Sequence, residues 1–542
     1  MLQSNDPAVE PSPSGEAASG ASNTPANACA CKCSSESADG YINSATYAAI
    51  APGAQDGLGI DQHHPLERWA STKPFRWLLG YLSAPTRNGP TRLERMLNSY
   101  RNPSASRWER VKFAPVHWFI DRMRGGTDVA TFRTKLVENR PTVRGLVVVA
   151  RSLAQMGPVV PQRFVSPLFA VWNFTNRCNL ACRHCYQNSD SHALSDELSL
   201  DQKLDVIDQL GKAYMPMLAL SGGEPTVSPD LLPVIRRAKS HDMHISLATN
   251  GTTMTAALAA QLAQAGLRYV EISLDSTDPA RHDAFRGVRG MWDRSVAGAK
   301  AVVATPGLRL GLAMCVHQGN FHEVEGMIRF AEQLGAGCFA HFNFIPVGRG
   351  VGMVGEDLSP AQREQLLGLL NERMQQGGIG IISTAPQLGR VCLVGSSIQS
   401  GRTTCSHAGS GSGVKARVVA KYLGGCGAGR TYVCIQPDGN VTPCVYLPNQ
   451  VMGNVRQKPI VDIFRESNEY ELLNDRSRRQ HHCRVCAFRN YCGGCRARAQ
   501  AYFGTLDAGD PGCLFNQKHW ERLVESVPGA AEPAVTAGAA AD

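Results

Sequence analysis

The stretch Asn176-Arg-Cys-Asn-Leu-Ala-Cys-Arg-His-Cys-Tyr186 places three cysteines in one short loop. Cys178, Cys182 and Cys185 follow the spacing C-x3-C-x2-C, so a single segment supplies three thiolates. Closed tetrahedral zinc and iron–sulfur sites take four protein ligands. Three thiolates therefore leave one metal position for a ligand that is not protein, which favours chemistry over scaffolding. A zinc knuckle that lacks one ligand is the alternative that this loop alone leaves open.

A second motif follows about 36 residues downstream, where an apolar run at 215–220 enters a glycine turn. Glycine lets the backbone approach a ligand closely, and a carboxylate is an acceptor for an ammonium group. By itself such a turn is common, but here it comes after a three-cysteine loop. The motif comprises Gly222, Gly223, Glu224 and Pro225.

In this order and at this distance, the two motifs resemble those of the radical S-adenosylmethionine (radical SAM) superfamily. The resemblance implies a [4Fe-4S] cluster on the three cysteines, with S-adenosylmethionine chelating the open iron through its amino and carboxylate groups. It implies that the Gly-Gly-Glu-Pro motif holds the methionine amino group. It further implies Ser273 and Asp275 near the ribose, and Arg286 or Arg294 near the carboxylate; a helix cap or a surface charge is the alternative for each.

Strand and helix patterns alternate around these motifs. Apolar runs predict strands at 244–248 and 269–274, with a helix over Ala256–Ala265 between them. This alternation indicates parallel βα units, whose ligands lie at the carboxyl ends of the strands. Further runs at 308–317 and 338–346 extend the alternation. We therefore predict an α/β fold, an incomplete (β/α)6 barrel.

Eight cysteines in the C-terminal part make two complete sets of four. Their pattern, C-x12-G-x4-C followed by C-x2-C-x5-C-x2-C and a distal cysteine, resembles the SPASM extension, although its last gap has two residues where three are commoner. The resemblance implies two auxiliary [4Fe-4S] clusters, three clusters in all. A pair of zinc ribbons is the alternative. The implied sets are Cys426, Cys434, Cys444 and Cys495 for the first cluster, and Cys483, Cys486, Cys492 and Cys513 for the second.

Pro437-Asp-Gly-Asn440 has the composition of a hairpin turn. Such a turn would place Cys434 and Cys444 on paired strands.

A chain of 542 residues is too long for one core. We expect a low-complexity disordered segment at 1–60, a helical region at 61–165, the barrel at 166–350, a helical bridge at 351–420, the SPASM domain at 421–520 and a disordered tail at 521–542.

The remaining features bound the cellular context. The first residues have no secretory pattern and no run is long enough to span a membrane, so a reducing cytoplasm is expected and the cysteines indicate metal. The net charge of +9 is mild for this length and no nucleic-acid motif is present. Cys29, Cys31 and Cys33 lie in a polar tail that either scavenges metal or is incidental.

Four of the seven tryptophans fall within 61–165, interleaved with arginines. Basic aromatic helices lie on an anionic membrane surface, grip an acidic substrate, or pack on a neighbouring domain. The sequence leaves these three roles open. The residues are Trp69, Trp77, Trp108 and Trp118, with Arg68, Arg76, Arg107, Arg110, Arg122 and Arg124 among the arginines.

The resemblance implies an oxidoreductase that cleaves S-adenosylmethionine to a 5′-deoxyadenosyl radical and oxidises an unactivated C–H position. It implies an electron donor such as ferredoxin or flavodoxin and a small-molecule or peptide substrate. The strings at 342–350, 426–429 and 492–498 look most like those of the tetrapyrrole side-chain enzymes of alternative heme pathways. Peptide maturation, modification of a lipid or quinone at the membrane surface, and a non-enzymatic zinc-stabilised binding protein are the alternatives.

Overall fold

The computed structural model describes residues 65–86, 89–124, 128–404 and 410–517. The predicted low-complexity segments, with Cys29, Cys31 and Cys33, lie outside the described residues. Within the described ranges, no helix combines the length and apolar character needed to cross a membrane. All fourteen cysteines in these ranges have free thiols.

Seven parallel strands, adjacent in chain order, form the centre of the molecule. One face of this sheet carries large aliphatic side chains, such as Leu220 and Ile245, that are fully buried. Side chains at every second position of a strand point to the same side of the sheet, and here the helices cover that side. The predicted α/β class with parallel units is confirmed. The strands are β1 Phe169–Asn173, β2 Met217–Ser221, β3 His244–Thr249, β4 Tyr269–Ser273, β5 Arg309–Val316, β6 Cys338–Asn343 and β7 Gly380–Ser383.

Helices connect the strands and supply the second layer. Their apolar faces enter the same core as the sheet. β7 lies in the segment predicted as a helical bridge and adds a strand that the sequence pattern did not indicate. The helices are Leu200–Lys212, Leu231–Ser240, Ala256–Ala265, Pro279–Arg286, Met291–Val303, Val324–Gln333, Pro360–Gln376 and Leu388–Val394.

The opposite face of the sheet carries smaller and polar side chains. Asn173 pairs with Ser221 across β1 and β2, and Ala248 pairs with Glu271 across β3 and β4. Paired residues of neighbouring strands project to the same side of a sheet. This polar face is therefore the inner face of the barrel, where a ligand can be bound.

The cysteine-rich segment continues the same sheet. After a two-stranded ribbon of β8 Arg402–Thr404 and β9 Ser410–Ser412, strand β10 Tyr432–Ile435 pairs in parallel with β1, with Cys434 opposite Val171. Strands β11 Asn440–Thr442 and β12 Gly453–Asn454 add antiparallel edges, so the predicted hairpin turn is confirmed. Cys434 pairs with Thr442, however, and Cys444 follows the end of β11, so the expectation that both cysteines lie on paired strands is wrong. Its helices are Gly413–Leu423, Ile460–Glu466, Asn468–Asn474, His482–Val485 and Arg496–Phe503.

The N-terminal region is helical, as predicted, and has a small core of its own. It docks on the barrel through Arg144, whose guanidinium donates to the carbonyls of Gly211 at 2.8 Å and Met215 at 3.1 Å. Tyr214 of the barrel donates in turn to Glu94. The helices are Pro65–Ser71, Lys73–Ser83, Arg92–Ser99, Arg107–Lys112, Ala114–Arg124, Val129–Phe132 and Arg140–Met156.

A buried arginine links the cysteine-rich segment to the end of β6. Arg498 is fully buried and donates to the Asn343 side chain at 2.7 Å and to the Phe344 carbonyl at 2.8 Å. Its Nε lies 3.3 Å from the carboxylate of Asp357, which also accepts from Arg363 at 2.7 Å. A buried charge is tolerated only when it is paired and hydrogen-bonded, so this network fixes the two segments against each other.

We predict that Arg498→Met lowers the free energy of unfolding by about 3–5 kcal/mol, because it leaves Asp357 with one fewer buried cationic partner. Arg478→Met is the matched control, since Arg478 is half exposed and pairs with Asp507 at the surface; it should cost below about 1 kcal/mol. Urea unfolding under anaerobic conditions measures both. Equal losses in the two variants would contradict the role given to Arg498.

Candidate functional site

The three-cysteine loop follows β1 directly and is fixed by backbone contacts. Arg349 Nε donates to the Cys182 carbonyl at 2.8 Å, and its Nη1 donates to the Ser189 carbonyl at 2.7 Å. The three cysteine side chains share one apolar cluster with Leu180 and Met291. The structure therefore brings the three predicted ligands together at the carboxyl end of β1.

Burial decides the chemistry of these thiols. It raises the pKa of Cys178 to about 12 and also raises that of Cys182. Thiolates in such surroundings need positive charge close by, and a bound metal supplies it. Three thiols in one loop are the donor type that an iron–sulfur cluster takes. In the described ranges, no group of three or more His, Cys, Asp or Glu is arranged to hold a metal ion, so the ligand role of these cysteines stays a prediction.

The Gly-Gly-Glu-Pro motif packs against this loop. Gly223 N donates to the Thr175 carbonyl and Glu224 N to the Arg177 carbonyl, each at 2.8 Å. A side chain at position 223 would place its Cβ only 2.3 Å from the Arg177 oxygen. The glycine is therefore required by close approach of the motif to the cysteine loop.

The Glu224 carboxylate lies in the interior and has several protein donors. It accepts from Thr249 Oγ1 and Asn250 N at 2.7 Å, and from Thr226 N at 3.1 Å. Burial raises its pKa, although these hydrogen bonds favour the ionised form. The carboxylate thus links the ends of β2 and β3 beside the cysteine loop. Contact between Glu224 and a methionine amino group stays a prediction.

Asp275 and Arg286 form a buried ion pair beside the cysteine loop. Arg286 Nε donates to the Asp275 carboxylate at 2.6 Å, and its Nη1 lies 3.7 Å from Cys182 Sγ. Burial opposes ionisation of Asp275, but the guanidinium lowers its pKa overall. Arg294, the other arginine predicted near the S-adenosylmethionine carboxylate, is exposed on the helix Met291–Val303. Of these two arginines, Arg286 is therefore the one beside the cysteine loop, and Asp275 holds it in place. Its contact with S-adenosylmethionine stays a prediction.

Two polar side chains next to the third cysteine have buried atoms without partners in the described residues. These are both amide atoms of Gln187 and Nδ1 of His184. The His184 ring stacks on Phe285 at 4.2 Å, and burial lowers its pKa to about 3. Buried polar groups are normally hydrogen-bonded, so unpartnered atoms at this position fit a site that takes a polar cofactor.

The first set of four cysteines lies against β1. Cys426, Cys444 and Cys495 share an apolar cluster with Phe169 and Val171 of that strand. Cys434, the fourth member, lies on β10 in register with Val171. Tyr432 donates its hydroxyl to Cys444 Sγ. The structure thus places the first auxiliary set beside the strand that leads to the three-cysteine loop.

The turn Cys492-Gly-Gly-Cys495 joins a cysteine of the second set to one of the first. Gly493 and Gly494 have φ values of +67° and +66°, and Gly494 N donates to Cys492 Sγ at 3.4 Å. Two consecutive left-handed residues make a turn that only glycines adopt without strain, which accounts for the short gap of two residues. The two sets touch, because Cys426 N donates to the Cys492 carbonyl at 3.0 Å.

Three groups on the inner face of the barrel were not predicted from the sequence: Glu271, Tyr186 and Tyr446. Glu271 lies two residues before Ser273 on the same face of β4, and Tyr269 donates to it at 3.3 Å. Burial raises the pKa of Glu271 to about 7. Tyr186 packs its ring at 5.3 Å against Tyr446, from the segment after Cys444. The alternation along β4 could have identified Glu271, whereas the tyrosine pair required the fold.

Comparison with known proteins identifies both halves of this site. The model of the Radical SAM superfamily matches residues 172–331, and that of the SPASM iron-sulfur cluster-binding domain matches residues 426–487. The AdoMet-dependent heme synthase of Methanosarcina barkeri is 30% identical over 351 residues, which are 65% of this chain and 97% of that protein. The PqqA peptide cyclase of Rhizobium meliloti is 28% identical over 387 residues, 69% of this chain and 93% of that protein.

Among solved structures, Streptococcus suis SuiB bound to S-adenosylmethionine superposes with a TM-score of 0.57. It is 15% identical, and the superposition covers 79% of this chain and 93% of SuiB. At this identity the likeness concerns the fold.

We predict that Glu271→Gln changes the pH dependence of stability. Folding raises the pKa of Glu271 to about 7, so the folded state favours the protonated carboxyl. The free energy of unfolding of wild type therefore falls as the pH rises from the pKa of this carboxyl in the unfolded chain through about 7. Relative to wild type, the variant should gain about 1 kcal/mol between pH 6 and pH 8 in urea unfolding. Glu372→Gln is the control, because Glu372 is exposed. A variant that follows the wild-type profile would contradict the prediction.

Proposed function

Because this chain belongs to the radical SAM superfamily and carries a SPASM iron–sulfur domain, we propose that it oxidises an unactivated C–H position in the side chain of a tetrapyrrole. Radical SAM enzymes use a [4Fe-4S] cluster and S-adenosylmethionine, and the SPASM domain binds additional iron–sulfur clusters. The observation that carries the proposal is the parallel pairing of β10 with β1, which joins the two cysteine regions in one sheet.

We assign the first cluster to Cys178, Cys182 and Cys185, and one further cluster to each set of four cysteines. When bound, the first cluster and S-adenosylmethionine supply a 5′-deoxyadenosyl radical that removes a hydrogen atom from carbon. Arg286, held by Asp275, would orient the S-adenosylmethionine carboxylate, and Ser273 on the inner face of β4 would approach the ribose. Buried apolar surroundings of the loop exclude water, which protects a reactive species from quenching.

The auxiliary sets support net oxidation. Four protein thiolates at each set leave no iron open to S-adenosylmethionine, so these sites suit electron transfer. A substrate that has lost a hydrogen atom must lose one further electron to give an oxidised product. Tyr186 and Tyr446 lie in contact between the cysteine loop and the first set, on the path that this electron would take.

Two observations support a tetrapyrrole as the substrate. The heme synthase relative is 30% identical, and this chain covers nearly all of its length. The inner face also presents a carboxyl and hydroxyls beside apolar groups, which suits a large ring with polar substituents. A peptide is the second candidate, supported by the likeness to PqqA peptide cyclase. We propose a ferredoxin or flavodoxin as the electron donor and the cytoplasm as the place of action.

We predict that protein reconstituted anaerobically binds about 12 iron and 12 sulfide, from three clusters of four. Replacing Cys178, Cys182 and Cys185 together with alanine should remove about four irons and abolish cleavage of S-adenosylmethionine. Cys392→Ala is the matched control, because this buried thiol belongs to none of the three sets. Protein that holds zinc and no sulfide would instead support the zinc-stabilised binding protein.

We predict that alanine at Cys486 or Cys492 separates the two parts of the reaction. Wild type, given reductant, S-adenosylmethionine and a propionate-bearing iron porphyrin, should release 5′-deoxyadenosine together with a porphyrin oxidised at a side chain. The variants should still release 5′-deoxyadenosine, since the first cluster is intact, while porphyrin oxidation falls at least about 100-fold. Mass spectrometry follows both products.

Two results would contradict this account. Normal turnover by the Cys486 and Cys492 variants would make the auxiliary clusters structural. Cleavage of S-adenosylmethionine by wild type without any change to the porphyrin would remove the tetrapyrrole and leave the peptide candidate.

A further inference from the structure

The N-terminal helices expose tryptophans that the rest of the described chain does not cover. Trp69, Trp77, Trp108 and Trp118 are 62%, 70%, 71% and 67% exposed. Within the part of the chain that the structure describes, these four side chains therefore do not pack on a neighbouring domain. Large aromatic side chains seldom stay in water in such numbers without a partner.

Two consecutive helices, Arg107–Lys112 and Ala114–Arg124, align their exposed apolar groups in one stripe. Phe113 joins the two helices: its N donates to the Glu109 carbonyl at 3.0 Å, and its carbonyl accepts from His117 N at 2.9 Å. Within each helix the exposed members lie one, three or four residues apart, which places them on one side of that helix. The members of the stripe are Trp108, Val111, Lys112, Pro115, Trp118, Phe119 and Arg122, all exposed.

The opposite face of the same two helices packs against the core of the N-terminal region. Phe113 is buried in the core of the N-terminal region, and Val116 and Ile120 pack against that core. The inner faces of the two helices thus pack in the core, whereas their outer faces carry apolar and basic side chains that nothing in the described structure covers. A helix face that combines aromatic and basic side chains is typical of a helix that lies in a membrane interface.

Positive charge is concentrated in this region. Residues 65–124 contain twelve Arg and Lys against four Asp and Glu, a net +8 within a chain of net +9. The acidic groups have local partners: Glu109 pairs with Arg95, and Asp121 accepts from Tyr100 and Arg101.

The two basic residues of the stripe, Lys112 and Arg122, and the adjacent Arg107 differ from these acidic groups. In the described part of the chain, Arg107, Lys112 and Arg122 form no ion pair. Their charge is therefore available to an anionic partner.

We infer that the stripe Trp108–Arg122 docks this enzyme on the surface of an anionic lipid bilayer. Tryptophan rings prefer the headgroup level, where the apolar body is buried and the indole N–H stays hydrated. Phe119 and Val111 add apolar area, and the flanking cations attract anionic headgroups. The open groove lined by Lys73, Arg76, Trp77 and Tyr81 offers a second patch of the same chemistry.

The inference is independent of the proposed reaction, because docking can be measured without turnover. Full-length reconstituted protein is sedimented with vesicles of phosphatidylcholine alone or containing about one-third phosphatidylserine, at low and high salt. Wild type should sediment only with the anionic vesicles and be released at about 1 M salt, where exposed charges are screened. Retention in the supernatant with anionic vesicles would overturn the inference.

Two pairs of variants test whether vesicle binding depends on the stripe itself or only on the total charge and total exposed apolar surface of the protein. Arg107→Glu with Lys112→Glu and Arg122→Glu should lower partitioning roughly 100-fold or more. Arg236→Glu with Lys300→Glu and Lys415→Glu makes the same charge change at exposed positions elsewhere and should retain binding. Trp108→Ser with Trp118→Ser should also lose binding, while Val351→Ser with Val485→Ser should not. Equal losses in stripe and control variants would overturn the inference.

The same experiment also tests a second possible occupant of the basic surface, the N-terminal segment of the chain itself. Residues 1–64 contain seven Asp and Glu against a single Lys, so this segment also complements the basic surface. Vesicle binding that appears only after residues 1–60 are removed would overturn the inference in favour of that segment. Iron content and far-ultraviolet circular dichroism confirm that each variant is folded.

Discussion

The pairing of β10 with β1 is the contact on which the arrangement of the site depends. It puts Cys434 opposite Val171, only a few residues before the three-cysteine loop begins. The first auxiliary set then packs on Phe169 and Val171, and the second set is tied to the first by the hydrogen bond from Cys426 to Cys492. Backbone hydrogen bonds therefore link the three cysteine sets, and the β1–β10 pairing is the link between the cysteine loop and the first auxiliary set.

Many of the polar groups near the site serve this framework. Glu224 joins the ends of two strands, Asp275 holds Arg286, and Arg498 holds the cysteine-rich segment to the end of β6. Each is buried and ionisable, so each depends on its partners inside the protein. The motif residues thus have two roles: some face the space for the cofactor, and others hold the segments around that space in position.

The sequence was informative where function depends on a local pattern. The spacing of Cys178, Cys182 and Cys185 and the glycine turn at 222–223 identified the superfamily, and the predicted strands agree with the observed ones to within a few residues. β7 was missed because four residues carry too short a pattern. The partners of Glu224 and Arg498 come from distant parts of the chain, which no local pattern reveals. Interleaved arginine and tryptophan fit both a buried and an exposed helix, so only the fold could show that Trp108 and Trp118 face outward.

The β1–β10 pairing also has a consequence for synthesis of the chain. Asn173 and Gln436, which meet at the end of this strand pair, are separated by 263 residues. At usual rates of translation, the ribosome needs roughly 10 to 50 seconds to add that much chain. During this interval the outer edge of β1 has its hydrogen-bonding groups unpaired, and an open edge strand is a site of aggregation. Until β10 is made, this edge of β1 is thus open to pairing with other chains, and slow codons between β7 and β10 would lengthen the exposure.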